Sequence, residues 1–427
     1  MASATQTRPA ATAPSAVASP GQATPGLKAR PGHFGPFRMQ QLVLIELAAA
    51  LLLVAWVISP LLLVPAGVLA ALLVLLALVR RHRRALPDWL ATALALRART
   101  RRAASLVVPA GTEPGLAPAV ECDPALRTYA YSDRDRRPVG MIGDGTFLTV
   151  VLQIESDATA LRPDRSARPL PVRLVRDALD VDDVRLESAQ IVQHTQPAPA
   201  PHLPEQSVAA RNYAPLQAQT GSPAVRITWI ALKLDPELCP EAVAARGGGL
   251  VGAQKCVVRA ADQLSSRLAG AGFRAAVLTE QELTAAIAVS SCANPLAIAQ
   301  AGRTETPVRR TTETSRTWRC DDRRHTSYWV ARWPELGGGG APMPQLVALL
   351  TSIPALATTF SLTLGRGERQ GVTVSGHVRI TGRSDEELVT ARHELERAAR
   401  GVKTGLVRLD REQVPAMLAT LPLGGTR

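Results

Sequence analysis

Two apolar runs, Gln41 to Ile58 and Leu61 to Val79, are separated only by Ser59 and Pro60. A helix rises about 1.5 Å per residue and a bilayer core is about 30 Å thick, so each run has the length of one spanning helix. A connection this short returns the second helix beside the first. Lys28 and Arg38 precede the first run, and Arg80, Arg81, His82, Arg83 and Arg84 follow the second. The positive-inside rule then places both ends on the cytoplasmic side. The expectation is a transmembrane hairpin in the cell membrane, 41–58 and 61–79, with both termini cytoplasmic. Glu46 is the exception within the first run. It reads either as a carboxylate near the interface reaching Arg38, or as a polar contact to a partner's helix. The late start of the run and the lack of a small-x-small cleavage site exclude a secretory signal peptide.

The formal charge of +13 would fit a nucleic-acid binder if it were spread along a groove. It is not. Up to Arg102 the only acids are Glu46 and Asp88, and most of the excess basic charge lies there, leaving the remaining chain nearly neutral. Such a distribution fits anionic lipid at the cytoplasmic leaflet rather than a phosphate-tracking surface, so no nucleic-acid partner is expected. The five cysteines, Cys122, Cys239, Cys256, Cys292 and Cys320, form no C-x-x-C pair, and they read as reduced, buried thiols.

Residues 1–38 are rich in Ala, Pro, Thr, Ser and Gly, lack the side chains for a core, and read as a disordered tail. The hairpin fills 39–80. Residues 81–105 read as a basic juxtamembrane helix, with Leu86, Trp89, Leu90, Ala93 and Leu94 at helical spacing and Arg97, Arg99, Arg101 and Arg102 closing it. Trp89 suits the headgroup level and the arginines suit anionic lipid; the competing reading packs this helix on the following domain. Arg80, Arg81, Arg83, Arg84, Trp89, Arg97 and Arg99, together with Glu46, are therefore the candidate partner or membrane contacts.

A linker, 106–130, leads to a first half, 131–300. A basic connector, 301–325, joins it to a second half, 326–427. Alternating apolar residues from Val139 to Ile154, at Arg185 to His194 and at Val225 to Leu234 predict strands, and Ala253 to Leu268 and Glu280 to Val289 predict helices. After the connector the same order recurs, β-α-β-β-α-β-α. The fold expected is α+β: a hairpin followed by a cytoplasmic domain of two ferredoxin-like halves, or one mixed sheet built from both.

Motifs that would carry chemistry fail in their context. Gly247 to Gly252 fits G-x-G-x-x-G, but Cys239-Pro240 stands where a strand should feed the turn, so a loop opening a helix is the better reading. Asp180-Val181-Asp182-Asp183 resembles the D-x-D with which glycosyltransferases hold a divalent ion, yet it joins a helix to a strand, where solvated Asp is ordinary. No His pair has zinc spacing, and neither a P-loop nor G-x-S-x-G occurs. No catalytic, cofactor or metal residue is expected.

The double apolar run with its arginine flanks, Val139 to Val151 (VGMIGDGTFLTVV), Ile227 to Gly249 (ITWIALKLDPELCPEAVAARGGG) and Trp318 to Pro334 (WRCDDRRHTSYWVARWP) resemble the EccE family of type VII secretion. The resemblance implies a non-enzymatic, membrane-anchored structural subunit of the core complex, with EccB, EccC and EccD as partners and the energy for export supplied by a partner ATPase. The rival reading is a membrane-tethered glycosyltransferase-like enzyme using Asp180 and Asp182.

Overall fold

A computed structural model describes residues 33–34, 37–59, 63–78, 80–81, 84–109, 111–156, 169–196, 207–208, 211–212, 215, 225–303, 308–334, 342–367 and 371–425, with side chains outside the description at 33–45 and 72–88. In chain order the helices are α1 (Met39–Ile58), α2 (Leu63–Leu78), α3 (Leu86–Ser105) and α4 (Ala117–Cys122). Then come β1 (Arg127–Ser132), β2 (Pro138–Gly143), β3 (Leu148–Ser156), α5 (Val172–Asp177), β4 (Ser188–Gln196) and β5 (Val225–Leu234). Next are α6 (Pro240–Ala245), α7 (Gly249–Gly270), β6 (Phe273–Val277), α8 (Glu280–Ser290) and α9 (Pro295–Ala301). The chain continues through β7 (Thr311–Glu313), β8 (Trp318–Cys320), β9 (Arg323–Arg332), α10 (Met343–Thr351), β10 (Ala357–Arg366) and β11 (Val372–Gly382). It closes with α11 (Asp385–Gly401), β12 (Gly405–Arg408) and α12 (Gln413–Leu418).

These twelve strands join one sheet, in the order β7-β8-β9-β11-β10-β4-β5-β3-β2-β1, with β6 beside β3 and β12 beside β9, and three short two-stranded pairs lie outside it among the described residues. Each described pairing is antiparallel. The sheet is built twice over. In the first half β6-β3-β5-β4 lie side by side, and in the second half β12-β9-β11-β10 do so in the same sequence of roles. In both, the opening strand of the unit is shared between two neighbours. Leu148 to Val150 of β3 pair with β2 while Leu152 to Ser156 pair with β6. Likewise Arg323 to His325 of β9 pair with β8 while Tyr328 to Arg332 pair with β12. The halves meet at β4 and β10, from Ser188↔Gly365 to Thr195↔Thr358.

Side-chain alternation divides the core in two. On the first face Leu152, Ile230, Leu232, Phe360, Leu362, Val378 and Ile380 are buried beneath α7, α10 and α11. The stripe of α7 explains its seat: Ala253, Cys256, Val257, Ala260, Ala261, Leu264 and Leu268 recur at helical spacing and are all buried. Ser384 caps α11 by accepting from the Glu387 amide, and Asp385, Glu386 and Glu387 in its first turn complement the helix dipole. On the second face Val151, Val192 and Trp229 meet Leu283 and Ile287 of α8 and Met417 and Leu418 of α12. Thr279 and Glu282 form a reciprocal capping box that fixes the start of α8.

The C-terminal segment crosses the join on this second face. Gln190 of β4 donates to the Ala419 carbonyl and accepts from the Gly424 amide, both at 2.8 Å, while Ser188 donates to the Gly424 carbonyl at 2.6 Å. Ser361 of β10 also donates to Ala419 O at 2.8 Å. Gly424 has φ 88°, and a Cβ there would lie 2.4 Å from the Lys233 Cβ, so the crossing requires glycine.

The expected transmembrane hairpin is overturned. Among the described residues no helix is long and apolar enough to cross a membrane. α2 has 16 residues, which gives about 24 Å at 1.5 Å per residue, short of a bilayer core of about 30 Å. α1 carries Gln40, Gln41 and Glu46 in its first half, and only Leu47 to Ile58 run without a polar side chain. The expected multi-pass placement in the cell membrane falls with the hairpin. α1 and α2 pack on each other, and Leu53, Trp56, Val57, Val64 and Val68 face outward.

Candidate functional site

The basic helix α3 is held against the second half. Arg99 donates from Nε and Nη2 to the two carboxylate oxygens of Glu313, each at 2.9 Å, and from Nη2 to the Arg411 carbonyl at 2.6 Å. Glu313 Oε1 also accepts from the Val414 amide at 3.0 Å, at the start of α12. The Arg411 guanidinium lies over the Trp89 ring, 4.7 Å from its centroid. Two of the residues singled out from the sequence, Trp89 and Arg99, are thus brought together by contacts within the chain. Arg97 points outward with Leu90 and Leu94, and Glu46 is exposed on α1. Arg83 lies outside the described residues, as do the side chains of Arg80, Arg81 and Arg84. Glu313 and Arg411, the other side of this latch, were not singled out from the sequence. Glu313 is one of four acids in the connector 301–325, and nothing local sets it apart from Glu305, Asp321 and Asp322.

The acidic motif is a turn. Asp180 pairs with Arg185 and Val181 with Val184 across a two-residue hairpin whose Asp182 has φ 54°. Each carboxylate has its own arginine: Asp180 meets Arg366 at 2.5 Å, Asp182 meets Arg259 at 2.9 Å, and Asp183 meets Arg246 at 2.7 Å. The hydrogen bond from Arg246 holds the Asp183 carboxyl below the usual carboxylate range. Carboxylates separately engaged in this way are not preorganised for a shared cation. Among the described residues no group of three or more His, Cys, Asp or Glu is placed to hold a metal ion. The rival glycosyltransferase reading loses its motif.

Gly247, Gly248 and Gly249 lead from α6 into α7 with φ of 109°, 70° and 52°. Gly248 and Gly249 line a cleft of about 500 Å³ with Tyr129, Phe147, Pro236 and Leu250. Lys233 sits over the Phe147 ring at 4.2 Å. Gly252 lets α7 close on α6, since a Cβ there would lie 2.2 Å from the Val243 carbonyl oxygen.

At the join of the two halves the second face is polar and buried. His194 Nδ1 meets Thr359 Oγ1 at 2.9 Å, and Arg379 Nη2 reaches the same hydroxyl at 3.3 Å and the Ser290 carbonyl at the end of α8. His325 Nδ1 meets Thr381 Oγ1 at 2.9 Å, and Cys292 Sγ meets the same oxygen at 3.7 Å. Burial, with the Arg379 charge alongside, pushes His194 down to about 3, and burial alone pushes His377 down to about 4. His325 is held well below the ordinary imidazole value, first by burial and then by Arg379. Burial also pushes the Cys256 thiol up to about 11 and raises Cys320. The five cysteines are unbridged.

The described residues thus form an uninterrupted sheet, a latched basic helix and an acidic turn whose three carboxylates each meet an arginine. Residues 222–330, from the approach to β5 through β9, match the family described as "Putative type VII ESX secretion system translocon, EccE". The match supports the EccE assignment read from the sequence. That description places the matched family in a secretion translocon. No curated protein sequence matches the chain.

Proposed function

We propose that this chain is a non-enzymatic component of a type VII ESX core complex that contributes to its assembly or stability. The observation that carries the reading is the EccE match over 222–330, a segment that runs from the first half through the connector into the second. Exposed apolar side chains on α1 and α2, Leu53, Trp56, Val57, Val64 and Val68, form a surface of the kind that partner subunits cover. EccB, EccC and EccD are the partners proposed. The outward face of α3, with Leu90 and Leu94 above Arg97 and Arg101, is the surface proposed to meet anionic lipid. The boundaries of the first half, 131–300, the basic connector, 301–325, and the second half, 326–427, are carried forward as part of this proposal.

Purification of a tagged chain in mild detergent tests the reading. Co-elution of EccB, EccC and EccD is expected, weakened by Trp56→Ser together with Val57→Ser. Elution of the wild-type chain alone and monomeric, under conditions that preserve the rest of the complex, would sink it.

A further inference from the structure

The polar join on the second face contains a full charge that no carboxylate meets among the described residues. Arg379 is wholly buried. Its Nη2 is used twice, by Ser290 O and Thr359 Oγ1, while Nε and Nη1 have no acceptor. The negative end of α8, delivered through Ser290, offsets only part of a guanidinium charge. Nearby polar groups do not complete the compensation. His194 and His325 are neutral imidazoles, as the pull of burial on both requires, and the Thr359 and Thr381 hydroxyls are already engaged. His325 Nε2 and His377 Nδ1 are also buried without a partner.

A buried cation with two nitrogens, Nε and Nη1, left without acceptors, beside neutral ring nitrogens that can donate, calls for negative charge from outside the chain. We propose that Arg379 anchors a binding site for a small monovalent anion, of the chloride class, enclosed between β11 and the end of α8. Arg379 Nε or Nη1 is its charged donor, with a neighbouring imidazole N–H as a neutral one. Size follows from packing. Ser290, Ser291, Thr359, His325 and Thr381 are each completely or almost completely buried, so a one-atom ion fits the surroundings better than a tetrahedral oxyanion. Position gives the site a role. Ser290 and His194 belong to the first half, Thr359 and Arg379 to the second, and His325 closes the connector between them, so the ion would neutralise a charge at the contact of the halves. This inference stands apart from the assembly reading, because it concerns the folded chain alone.

Thermal unfolding of the full chain in sodium chloride and in sodium gluconate, at equal ionic strength and pH 7.5, tests it together with a bromide soak. Chloride should raise Tm saturably over gluconate, and the difference should vanish in Arg379→Met. In wild-type crystals soaked in bromide, an anomalous peak should lie within hydrogen-bond reach of Arg379. An equal chloride response in wild type and Arg379→Met would overturn the proposal, as would bromide peaks that leave Arg379 bare. Should Arg379→Met fail to fold, the bromide map of the wild-type protein decides by itself.

Discussion

Arg99 and Glu313, more than two hundred residues apart in sequence, face each other through a two-bonded pair at 2.9 Å, with Glu313 almost closed to solvent. A charge-assisted pair of this geometry contributes about 1.5–3 kcal/mol. Glu313 also holds the Val414 amide in the first turn of α12, so its loss should do more than free a surface helix. Glu313→Ala is expected to speed hydrogen exchange in both α3 and α12, whereas Arg99→Ala affects α3 first. Equal, unchanged exchange in both variants would show that the latch does not hold the helix.

Acid should weaken the fold through its buried imidazoles. His194 and His377 stay neutral in the fold down to about 3 and about 4, whereas an unfolded imidazole takes up a proton near pH 6.5. Below about pH 6.5 the unfolded chain therefore binds more protons than the folded one, and stability falls as pH falls. Above that value these groups contribute no slope. Urea unfolding between pH 7 and 4.5 should show the decline. His194→Gln should lessen its slope by at most about 1.4 kcal/mol per pH unit, the contribution of one proton.

Gly252 stands where α7 closes on α6, inside the segment that matches EccE. Gly252→Ala places a methyl group against the Val243 carbonyl, and overpacking of this kind costs about 1–3 kcal/mol. The loss is read from the urea midpoint. Gly270→Ala, at the open end of the same helix with nothing near the added methyl, should leave the midpoint unchanged or slightly raised.

Manganese or magnesium at millimolar concentration should leave Tm unchanged, because Asp180, Asp182 and Asp183 already face three separate arginines. A saturable rise in Tm that Asp182→Asn abolishes would restore the metal reading.

The thiols should be slow. Cys256 and Cys320 are buried and their thiolates disfavoured, so a disulfide reagent at pH 8 should label them only at the rate of opening. All five cysteines should react at once in denaturant.

Much of the sheet could be read from the chain, because alternation at Val225 to Leu234 or Val372 to Gly382 is a local property. Pairing between halves is not local. Nothing around His194 announces that its neighbour across the join is Thr359. The second face was harder still. On β11 the sequence His377, Val378, Arg379, Ile380, Thr381 has the pattern of a strand with one wet side, and only the seating of α8 and α12 buries the polar set. The apolar runs misled in the other direction: composition indicated two spans, whereas α2 has 16 residues and α1 carries Gln40 and Gln41 in its first turn. Trp89 and Arg99 were found for their chemistry, but which surface they met depended on Glu313 and Arg411, far along the chain.

The meeting of β4 with β10 occupies the one flank that each half would otherwise offer at the molecule's midline. A visiting peptide that docks by extending the hydrogen-bond ladder is therefore barred from the centre and confined to the periphery, at β1 or β6 on one side and β7 or β12 on the other. Two such berths, at opposite edges of one sheet, would let one copy grip separate neighbours.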